Sequence, residues 1–136
     1  MTAGGGVVSK TQYIALSEFR YQVARFQRFS ERASRAAGLT QTQYLLLLHV
    51  RGCPGRDWAT VGELATRLQA SPHGAAALIK RCEARGLIVK KRAEADARVV
   101  RVSLTARGLR LTERVAARHR EELKSLRDVF RVAHVS

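Results

Sequence analysis

Apolar residues recur at steps of three and four through residues 11–37, which is the spacing of one face of an α-helix. They are Leu16, Phe19, Val23, Phe26, Phe29, Ala33 and Ala37. Most arginines of this stretch fall between them, and Gly38 interrupts the pattern. We therefore predict a long amphipathic helix over residues 11–37. Residues 1–10 contain three consecutive glycines and no periodic pattern, which predicts a mobile tail.

A second helix is predicted after Gly38. Thr40 and Gln43 have the spacing of a capping box, in which two side chains satisfy backbone N–H groups at a helix start. Four consecutive leucines at 45–48 leave little polar surface, so we expect this helix to be central and buried. The sequence Gly-Cys-Pro-Gly at 52–55 is a strong turn signal that ends the helix. The residues up to Ala59, including Trp58, are assigned to a loop.

Residues 60–86 contain the start and stop signals of two helices joined by a short link. Thr60 and Glu63 form another capping box. Ser71 is a preferred N-cap residue, and Pro72 suits the first helical position, where its missing N–H costs nothing. Gly86 ends the second helix as a left-handed C-terminal residue would. Two helices with so short a link cross steeply, which is the geometry of a helix-turn-helix whose second helix enters a DNA major groove.

Two β-prone runs, residues 87–92 and 99–104, follow and flank a polar, turn-like segment. In the second run, valine and leucine at 100, 102 and 104 alternate with Arg101 and Ser103. Helix, turn, helix and hairpin in this order predict a winged helix-turn-helix over residues 40–104. The alternative is a small α+β domain whose hairpin only covers a core.

The last stretch of the chain carries a heptad pattern. Its seam consists of Leu109, Thr112, Ala116, His119, Leu123, Leu126 and Phe130. We predict a long helix over residues 105–131, opened by Thr105, that forms a dimerisation module with the helix over residues 11–37. The alternative is that the two helices pair within one chain. The predicted fold class is therefore mainly α with a small β-hairpin wing (α+β), one domain over residues 11–136 in which a winged helix-turn-helix is flanked by N- and C-terminal dimerisation helices.

The charge of the chain indicates an acidic partner. Its formal net charge is +14, from 25 basic and 11 acidic residues. Between residues 67 and 110, eleven basic residues stand against three acidic ones, a net +8 that coincides with the predicted winged helix and favours nucleic acid. No aromatic residue lies between Trp58 and Phe130, so stacking on single-stranded bases has little support and duplex DNA is favoured. A basic winged-helix module for protein–protein or RNA interaction is the alternative.

The sequence contains no phosphate-cradling glycine loop, no nucleophile elbow and no clustered carboxylate pair. We therefore expect no enzyme activity and no cofactor. His49 and Cys53 are four residues apart, but a zinc site needs three or four ligands and no second pair is near, so no metal site is predicted. The sequence has no apolar run of about 18 residues, no signal peptide, and too few cysteines for a disulfide framework, so a cytoplasmic protein is expected.

The order and spacing of these motifs resemble the MarR family of transcriptional regulators over about residues 11–131. The stretches that carry the resemblance are LTQTQY at 39–44, VGELA at 61–65, SP at 71–72, EARGLI at 83–88, DAR at 96–98 and VSLTARG at 102–108. The resemblance implies a triangular homodimer with two winged-helix lobes that represses transcription, often of its own operon, by binding a pseudo-palindromic operator. It also implies release of the DNA by a small phenolic or aromatic acid, or by thiol oxidation.

The middle of the predicted recognition helix departs from the family pattern, in which Thr or Ser and an Arg are usual. Residues 74–77 are here one glycine and three alanines. Small side chains reach few base edges, so direct readout would rest on His73, Lys80 and methyl contacts from the alanines. DNA shape and the wing would then supply much of the operator choice.

The predicted DNA-binding residues lie on this helix and on the hairpin. They are Ser71, His73, Gly74, Ala76, Ala77, Lys80, Arg81, Lys90, Lys91, Arg92, Asp96, Arg98 and Arg101. At the wing tip, the resemblance implies that Arg98 enters the minor groove while Asp96 orients it. The alternative is an exposed ion pair that contributes almost nothing. Arg81 and Arg85 are one turn apart and either contact phosphate or pair with Glu83 and solvent.

By resemblance, a cleft between the dimerisation helices and the DNA-binding lobe would hold an aromatic acid. The candidate residues are Tyr44, His49, Trp58 and, as a carboxylate partner, Arg20; the alternative for them is ordinary packing and solvation. Cys53 beside Pro54 is the candidate for thiol oxidation, whereas Cys82 should face the core as a packed thiol. His119 on the heptad seam is expected at the dimer interface.

Overall fold

The computed structural model describes residues 6–129, without the side chains of residues 121, 123, 125, 126, 128 and 129. In this part of the chain the elements are α1 (Lys10–Ala36), α2 (Gln41–Arg51), β1 (Trp58–Thr60), α3 (Val61–Leu68), α4 (Pro72–Ala84), β2 (Ile88–Arg92), β3 (Val100–Leu104) and α5 (Ala106–Val129). The predicted fold class, mainly α with a small β wing, is confirmed. Among the described residues, no helix is long and apolar enough to cross a membrane.

The two predicted capping boxes both form. The hydroxyl oxygens of Thr40 and Thr60 accept the backbone N–H three residues later at 3.1 and 3.2 Å. In return, the side chains of Gln43 and Glu63 accept the N–H of the threonine at 3.1 and 2.9 Å. These reciprocal bonds satisfy donors that a helix start leaves without partners, so α2 and α3 begin where the sequence predicts.

Helix α1 begins one residue before its predicted start. Ser9 and Gln12 form a third capping box, with the Ser9 hydroxyl accepting the Gln12 N–H at 3.2 Å and the Gln12 side chain accepting the Ser9 N–H at 2.9 Å. The last residues of the predicted tail are therefore the cap and the first residue of a helix. Residues 1–5 of that tail lie outside the described residues.

The sheet has three antiparallel strands in the order β1-β3-β2. The sequence predicts only the hairpin of β2 and β3, in which Ile88 pairs with Leu104 and Arg92 with Val100. The assignment of Trp58 to a loop is wrong, because Trp58 begins β1 and pairs with Ser103. A three-residue strand is too short to show an alternating pattern, and only its distant partner makes it a strand.

Helix α2 lies at the centre of the described fold, as its leucines predict. Leu46, Leu47 and Val50 have no exposed surface. The helix packs against α1, α3, α4, α5 and β3, while Leu45 and Leu48 lie partly buried at the edge of the core. The same helix therefore supports both the winged helix and the pair of long helices.

Helices α1 and α5 pack together around a buried histidine. His119 of α5 is 7% exposed and contacts the rings of Phe26, Phe29 and Tyr44, with centroids 5.6, 5.3 and 5.4 Å away. The His119 Nδ1–H donates to the carbonyl oxygen of Val115 at 2.8 Å. This aromatic cluster joins α1, α2 and α5 within one chain.

The first half of the predicted heptad seam is covered by the chain itself. Thr112 and His119 are buried, and Leu109 and Ala116 are half-buried. The expectation that His119 lies at a dimer interface is wrong, because α1 and α2 pack over this half of the seam. The side chains of Leu123 and Leu126, with Phe130 and the predicted helix end at residue 131, lie outside the described part.

Candidate nucleic-acid interface

Helix α4 buries one face and exposes the other. Its buried residues are Ala75, Leu78, Ile79 and Cys82. The opposite face holds residues predicted to contact DNA: Ser71, His73, Gly74, Ala76, Lys80 and Arg81 are exposed, and Ala77 is half-buried. Burial raises the pKa of the Cys82 thiol to about 11, so the predicted packed thiol is confirmed.

The N-terminal end of α4 has the predicted cap. The Ser71 hydroxyl accepts the Gly74 N–H at 3.0 Å, and Pro72 occupies the first helical position. A Cβ at Gly74 would lie 3.1 Å from the Ser71 Oγ, which is tighter than an ordinary contact. Glycine therefore suits this cap and leaves the first exposed turn of α4 open to a close approach by another backbone.

The C-terminal end of α4 is tied to α2 and α5. Gly86 adopts the predicted left-handed conformation, with φ +72°. The Arg85 guanidinium donates to the Gln43 Oε1 at 2.7 Å, and Arg107 donates to the Arg85 carbonyl oxygen at 3.2 Å. Neither alternative predicted for Arg85, phosphate contact or an ion pair with Glu83, describes this bond. Arg85 instead connects α4 to the buried helix α2.

Local hydrogen bonds shape the wing tip, residues 93–99. The Asp96 Oδ1 accepts both the backbone N–H and the Nε–H of Arg98, at 3.0 and 3.2 Å. Arg92 donates to the Ala97 carbonyl oxygen at 2.7 Å. The Arg98 backbone N–H and then its side chain hold the pKa of Asp96 below its usual value. Asp96 thus orients the Arg98 side chain, which is 91% exposed.

The basic residues of α4 and the hairpin differ in their partners. The Lys90 ammonium lies 3.2 Å from the Glu83 carboxylate of α4, and both side chains are about two-fifths exposed. Lys80, Arg81 and Lys91 are exposed and have no ion-pair partner among the described residues. These three cations are therefore more available to phosphate than Lys90 is.

Arg101, a predicted DNA contact, lies over the ring of Trp58. Its Cζ is 4.0 Å from the ring centroid, and the Cζ of Arg56 is 4.3 Å from the same centroid. Arg56 also forms a two-pronged ion pair with Glu63. Hydrogen bonds from Arg56 and then from the Thr60 backbone lower the pKa of Glu63 to about 2.

The four residues predicted to bind an aromatic acid are dispersed over the described part of the chain. Tyr44 stacks on His119 in the core, where burial raises its pKa, and Trp58 contacts the two arginines. Arg20 is exposed on α1. His49 lines a small cavity in which the other three have no part.

This cavity has a volume of about 210 Å³ and lies between the end of α2, the following loop and α3. Cys53 and Arg67 line it with His49. The Cys53 thiol donates to the His49 carbonyl oxygen at 3.4 Å, and burial followed by the charge of Arg67 lowers the pKa of His49. The cavity thus brings together the candidate thiol and one candidate ligand residue.

Two arginines that were not among the predicted site residues, Arg56 and Arg85, connect the elements of this interface through Glu63 and Gln43. No local pattern marks Arg56, because the strand that follows it, β1, is too short to show alternation. No local pattern marks Arg85 either, because its partner Gln43 is 42 residues away in sequence.

Known proteins share this fold. Residues 37–99 match the model of the MarR family. The chain is similar to AbsC, a MarR family transcriptional regulator from Streptomyces coelicolor, with 25% sequence identity, a TM-score of 0.74, and coverage of 92% of this chain and 82% of AbsC. A comparison with curated protein sequences found no match.

Two further solved structures are similar at lower identity. One is a mutant MarR from E. coli complexed with operator DNA, with 19% identity, a TM-score of 0.66, and coverage of 78% of this chain and 74% of that one. The other is BpsR from Bordetella bronchiseptica, whose DNA binding is regulated by 6-hydroxynicotinic acid. Its identity is 22%, its TM-score is 0.62, and the match covers 85% of this chain and 83% of BpsR. At these identities the likeness concerns the fold.

The matched region, residues 37–99, extends from the residues before α2 to the wing tip and includes both helices of the helix-turn-helix. The likeness to AbsC covers almost the whole chain, including most of the long helices. The match over residues 37–99 and the likeness to AbsC are thus consistent with a winged helix-turn-helix regulator of the MarR type.

Proposed function

We propose that the protein is a cytoplasmic homodimer that binds a pseudo-palindromic operator in duplex DNA and represses transcription. The observation that carries the DNA-binding part is the set of basic side chains on α4 and the hairpin, of which Lys80, Arg81, Lys91 and Arg98 are exposed. The acidic side chains near them are few, and Glu83 and Asp96 are already paired with basic ones. DNA phosphates would supply the missing negative charge.

Within this proposal the exposed residues have separate roles. Helix α4 enters the major groove, where His73 and Lys80 reach base edges. Arg98 at the wing tip enters the adjacent minor groove, whose negative potential attracts arginine where the groove is narrow. Lys91 and Arg81 contact phosphate and contribute affinity that is independent of sequence.

The proposed dimer rests on the exposed apolar residues of α1. Seven large apolar side chains are exposed among the described residues, and six of them lie between residues 7 and 21. The four within α1 are Tyr13, Ile14, Leu16 and Tyr21, each between 51% and 59% exposed. A concentrated apolar surface of this kind marks an interface. Its proposed occupant is α1 of a second copy, since two lobes related by a two-fold axis match a palindromic operator.

Light scattering at micromolar concentration tests the dimer, with an expected mass of twice 15.1 kDa. Tyr21→Glu should shift the protein towards monomer without unfolding it, because Tyr21 is exposed in the single chain. Val89→Glu is the matched control, since Val89 is 51% exposed but lies on β2. A wild-type monomer at this concentration would contradict the dimer and with it the symmetric operator.

Selection from a random duplex library tests the DNA-binding specificity. The enriched sequences should contain two inverted half-sites whose centres are one helical turn apart, about 34–36 Å, or a multiple of that distance. Equal binding to selected and random duplexes, or tighter binding to single-stranded RNA, would instead support a winged-helix module without operator specificity. Transcription in vitro from a promoter that contains the selected site should fall as protein is added, whereas a rise would contradict repression.

We also propose that a small aromatic acid, or oxidation of Cys53, releases the DNA. The cavity of about 210 Å³ at His49 and Cys53 would accommodate a single-ring acid better than a larger ligand, with Arg67 as the carboxylate partner. In a thermal-shift screen of phenolic acids, a stabilising compound should lose its effect in Arg67→Ala. Loss in Arg20→Ala alone would place the ligand on α1, and the absence of any stabilising compound would contradict the aromatic-acid proposal.

The oxidation route is tested separately. Treatment with peroxide should weaken operator binding by the wild-type protein and leave Cys53→Ser unaffected. Cys82 provides the internal control because its thiol is buried and its pKa is raised, both of which disfavour reaction. Equal loss of binding in the wild type and in Cys53→Ser would rule out Cys53 as the sensor.

A further inference from the structure

A cluster of four side chains joins the wing to the helix-turn-helix. It consists of Arg56 in the loop before β1, Trp58 in β1, Glu63 in α3 and Arg101 in β3, and we call it the Trp58 cluster. Each member lies in a different element, so the cluster connects the central strand of the sheet to the first helix of the helix-turn-helix.

The contacts within the cluster form a continuous chain. The Cζ of Arg101 lies 4.0 Å from the centroid of the Trp58 ring, and the Cζ of Arg56 lies 4.3 Å from it. Both distances are within the range of a favourable cation–π interaction. Arg56 then pairs with Glu63, and Glu63 caps the start of α3 by accepting the Thr60 N–H at 2.9 Å.

The position of Arg101 in the sheet explains why its guanidinium lies over Trp58. Arg101 is the direct cross-strand partner of Lys91 on one side and of Thr60 on the other. Two cations directly opposite each other repel, so the arginine gains by lying over the indole instead of alongside the lysine. The Arg101 Nε is buried without a hydrogen-bond partner among the described residues, which indicates that packing on the ring, and not a polar contact, holds it there.

We propose that Arg101 is a positioning residue for DNA binding and not a phosphate contact, an inference that rests on the proposed function. By stacking on Trp58, it holds β3 against β1 and α3 and thereby sets the angle between the wing and α4. That angle decides whether Arg98 and the exposed face of α4 reach neighbouring grooves of one duplex together. Lys91, which faces Arg101 across the hairpin and is exposed, is the residue that contacts phosphate.

The two roles predict different salt dependence. Loss of a phosphate contact reduces the slope of log affinity against log salt by about one, because one counterion fewer is released. Loss of a positioning contact lowers affinity at every salt concentration and leaves the slope unchanged. Arg101→Ala and Trp58→Leu should each weaken operator binding by roughly threefold to thirtyfold, the range of cation–π energies, with the wild-type slope. Lys91→Ala should reduce the slope.

A double-mutant cycle separates the stack from two independent effects. The double variant Trp58→Leu/Arg101→Ala should bind the operator about as weakly as either single variant, because both substitutions remove the same contact. Trp58→Phe should retain most of the affinity, since phenylalanine keeps an aromatic face for the guanidinium. Trp58 is the sole tryptophan of the chain, so its fluorescence in Arg101→Ala directly reports whether the stack exists in solution.

The outcomes distinguish this inference from the proposed function. If the wild-type protein does not prefer a selected operator over random DNA, the proposed function fails. If it does, and Arg101→Ala reduces the salt slope by about one as Lys91→Ala does, Arg101 is a phosphate contact and the inference is overturned. Unchanged tryptophan emission in Arg101→Ala, or additive losses in the double variant, would also overturn it. Thermal melting of each variant verifies that the compared proteins are folded.

Discussion

Helix α4 and the β2–β3 hairpin present two different surfaces to the proposed DNA. The exposed middle of α4 is made of Gly74, Ala76 and the half-buried Ala77, which carry no charge and offer few hydrogen-bonding atoms. The hairpin instead exposes Lys91 and Arg98. Within the proposed function this difference corresponds to a division of roles. The small residues of α4 fit the major groove by shape, while both elements supply cations, Lys80 and Arg81 on α4 and Lys91 and Arg98 on the hairpin.

The two elements also differ in how they are held. Helix α4 is fixed by a buried face, by the Ser71 cap and by the bond of Arg85 to α2. The wing tip is held by hydrogen bonds within residues 92–99, and the hairpin as a whole by β1 and the Trp58 cluster. The wing tip is therefore held by a few polar contacts, whereas α4 and the base of the hairpin, through Ile88 and Val102, belong to the buried core.

We expect the largest effect from a substitution at the junction of α4 and the hairpin. Gly108 of α5 lies against Leu87, which joins the two elements, and a Cβ there would be 2.0 Å from the Leu87 carbonyl oxygen. That oxygen also accepts the Thr105 N–H at 3.0 Å, so it cannot easily move. We expect Gly108→Ala to lower the free energy of unfolding by about 3 kcal/mol, measured by urea denaturation.

A matched control for that substitution is Gly62→Ala. Gly62 lies in α3, and a Cβ there would meet nothing within 4 Å. Because alanine favours a helix over glycine, this variant should gain about 0.5–1 kcal/mol. If Gly108→Ala were as stable as the wild type, the backbone at Leu87 would be able to move away from the added Cβ, and the predicted steric clash would be wrong.

The second largest effect is expected on operator binding, where a substitution in the wing can be compared with one in α4. Arg98→Ala should weaken operator binding by about 1–3 kcal/mol, roughly 5- to 150-fold, and more than His73→Ala does. The loss should be greatest at A·T-rich flanks, where a narrow minor groove strengthens the negative potential. Titrations of both variants on operator and random duplexes measure the difference. If His73→Ala abolished discrimination while Arg98→Ala bound like the wild type, α4 would read the operator and the wing-centred account would be wrong.

A smaller effect distinguishes two neighbouring lysines of β2. Lys91→Ala should weaken binding to operator and random DNA about equally and reduce the salt slope by about one. Lys90→Ala should change the slope less, because Lys90 already pairs with Glu83 at 3.2 Å. Binding measured at several salt concentrations shows which of the two variants has the larger change in salt slope. A larger slope change for Lys90→Ala would mean that DNA displaces Glu83.

The smallest expected effect is on how the free energy of unfolding depends on pH, through the ion pair between Arg56 and Glu63 in the Trp58 cluster. The folded pKa of Glu63 is about 2, below its ordinary 4.5, chiefly because Arg56 donates hydrogen bonds to it. Its contribution to stability is therefore complete above about pH 4.5 and is lost as the pH falls towards 2. Glu63→Gln should flatten the dependence of unfolding free energy on pH within that window. The change should be small because both side chains are partly exposed, 28% for Arg56 and 42% for Glu63.

Glu94→Gln is the control for the pH measurement, because Glu94 is exposed and makes no ion pair among the described residues. It should leave the pH profile of unfolding as in the wild type. An unchanged profile in Glu63→Gln as well would contradict the ion pair that anchors the Trp58 cluster to α3.

The features that could be predicted from the sequence are those that arise within a few neighbouring residues. The caps at Thr40, Thr60 and Ser71 each satisfy a donor three residues on, and the glycine at 86 allows the left-handed turn that ends α4. The wing-tip hydrogen bond between Asp96 and Arg98 is local in the same sense. Hydrophobic periodicity then predicts which face of each helix is buried, and the basic excess predicts the kind of partner.

Contacts between residues far apart in the chain could not be predicted in this way, because they depend on how the helices and strands pack together. Strand β1 exists because Trp58 meets Ser103, Arg85 faces inward because Gln43 accepts its hydrogen bond, and His119 is buried because α1 and α2 cover it. The same holds for Arg101, whose charge fits a DNA contact but which lies over the ring of Trp58. The type of a residue limits the contacts that its side chain can make. Which partner it contacts depends on the distant elements that pack next to it in the folded chain.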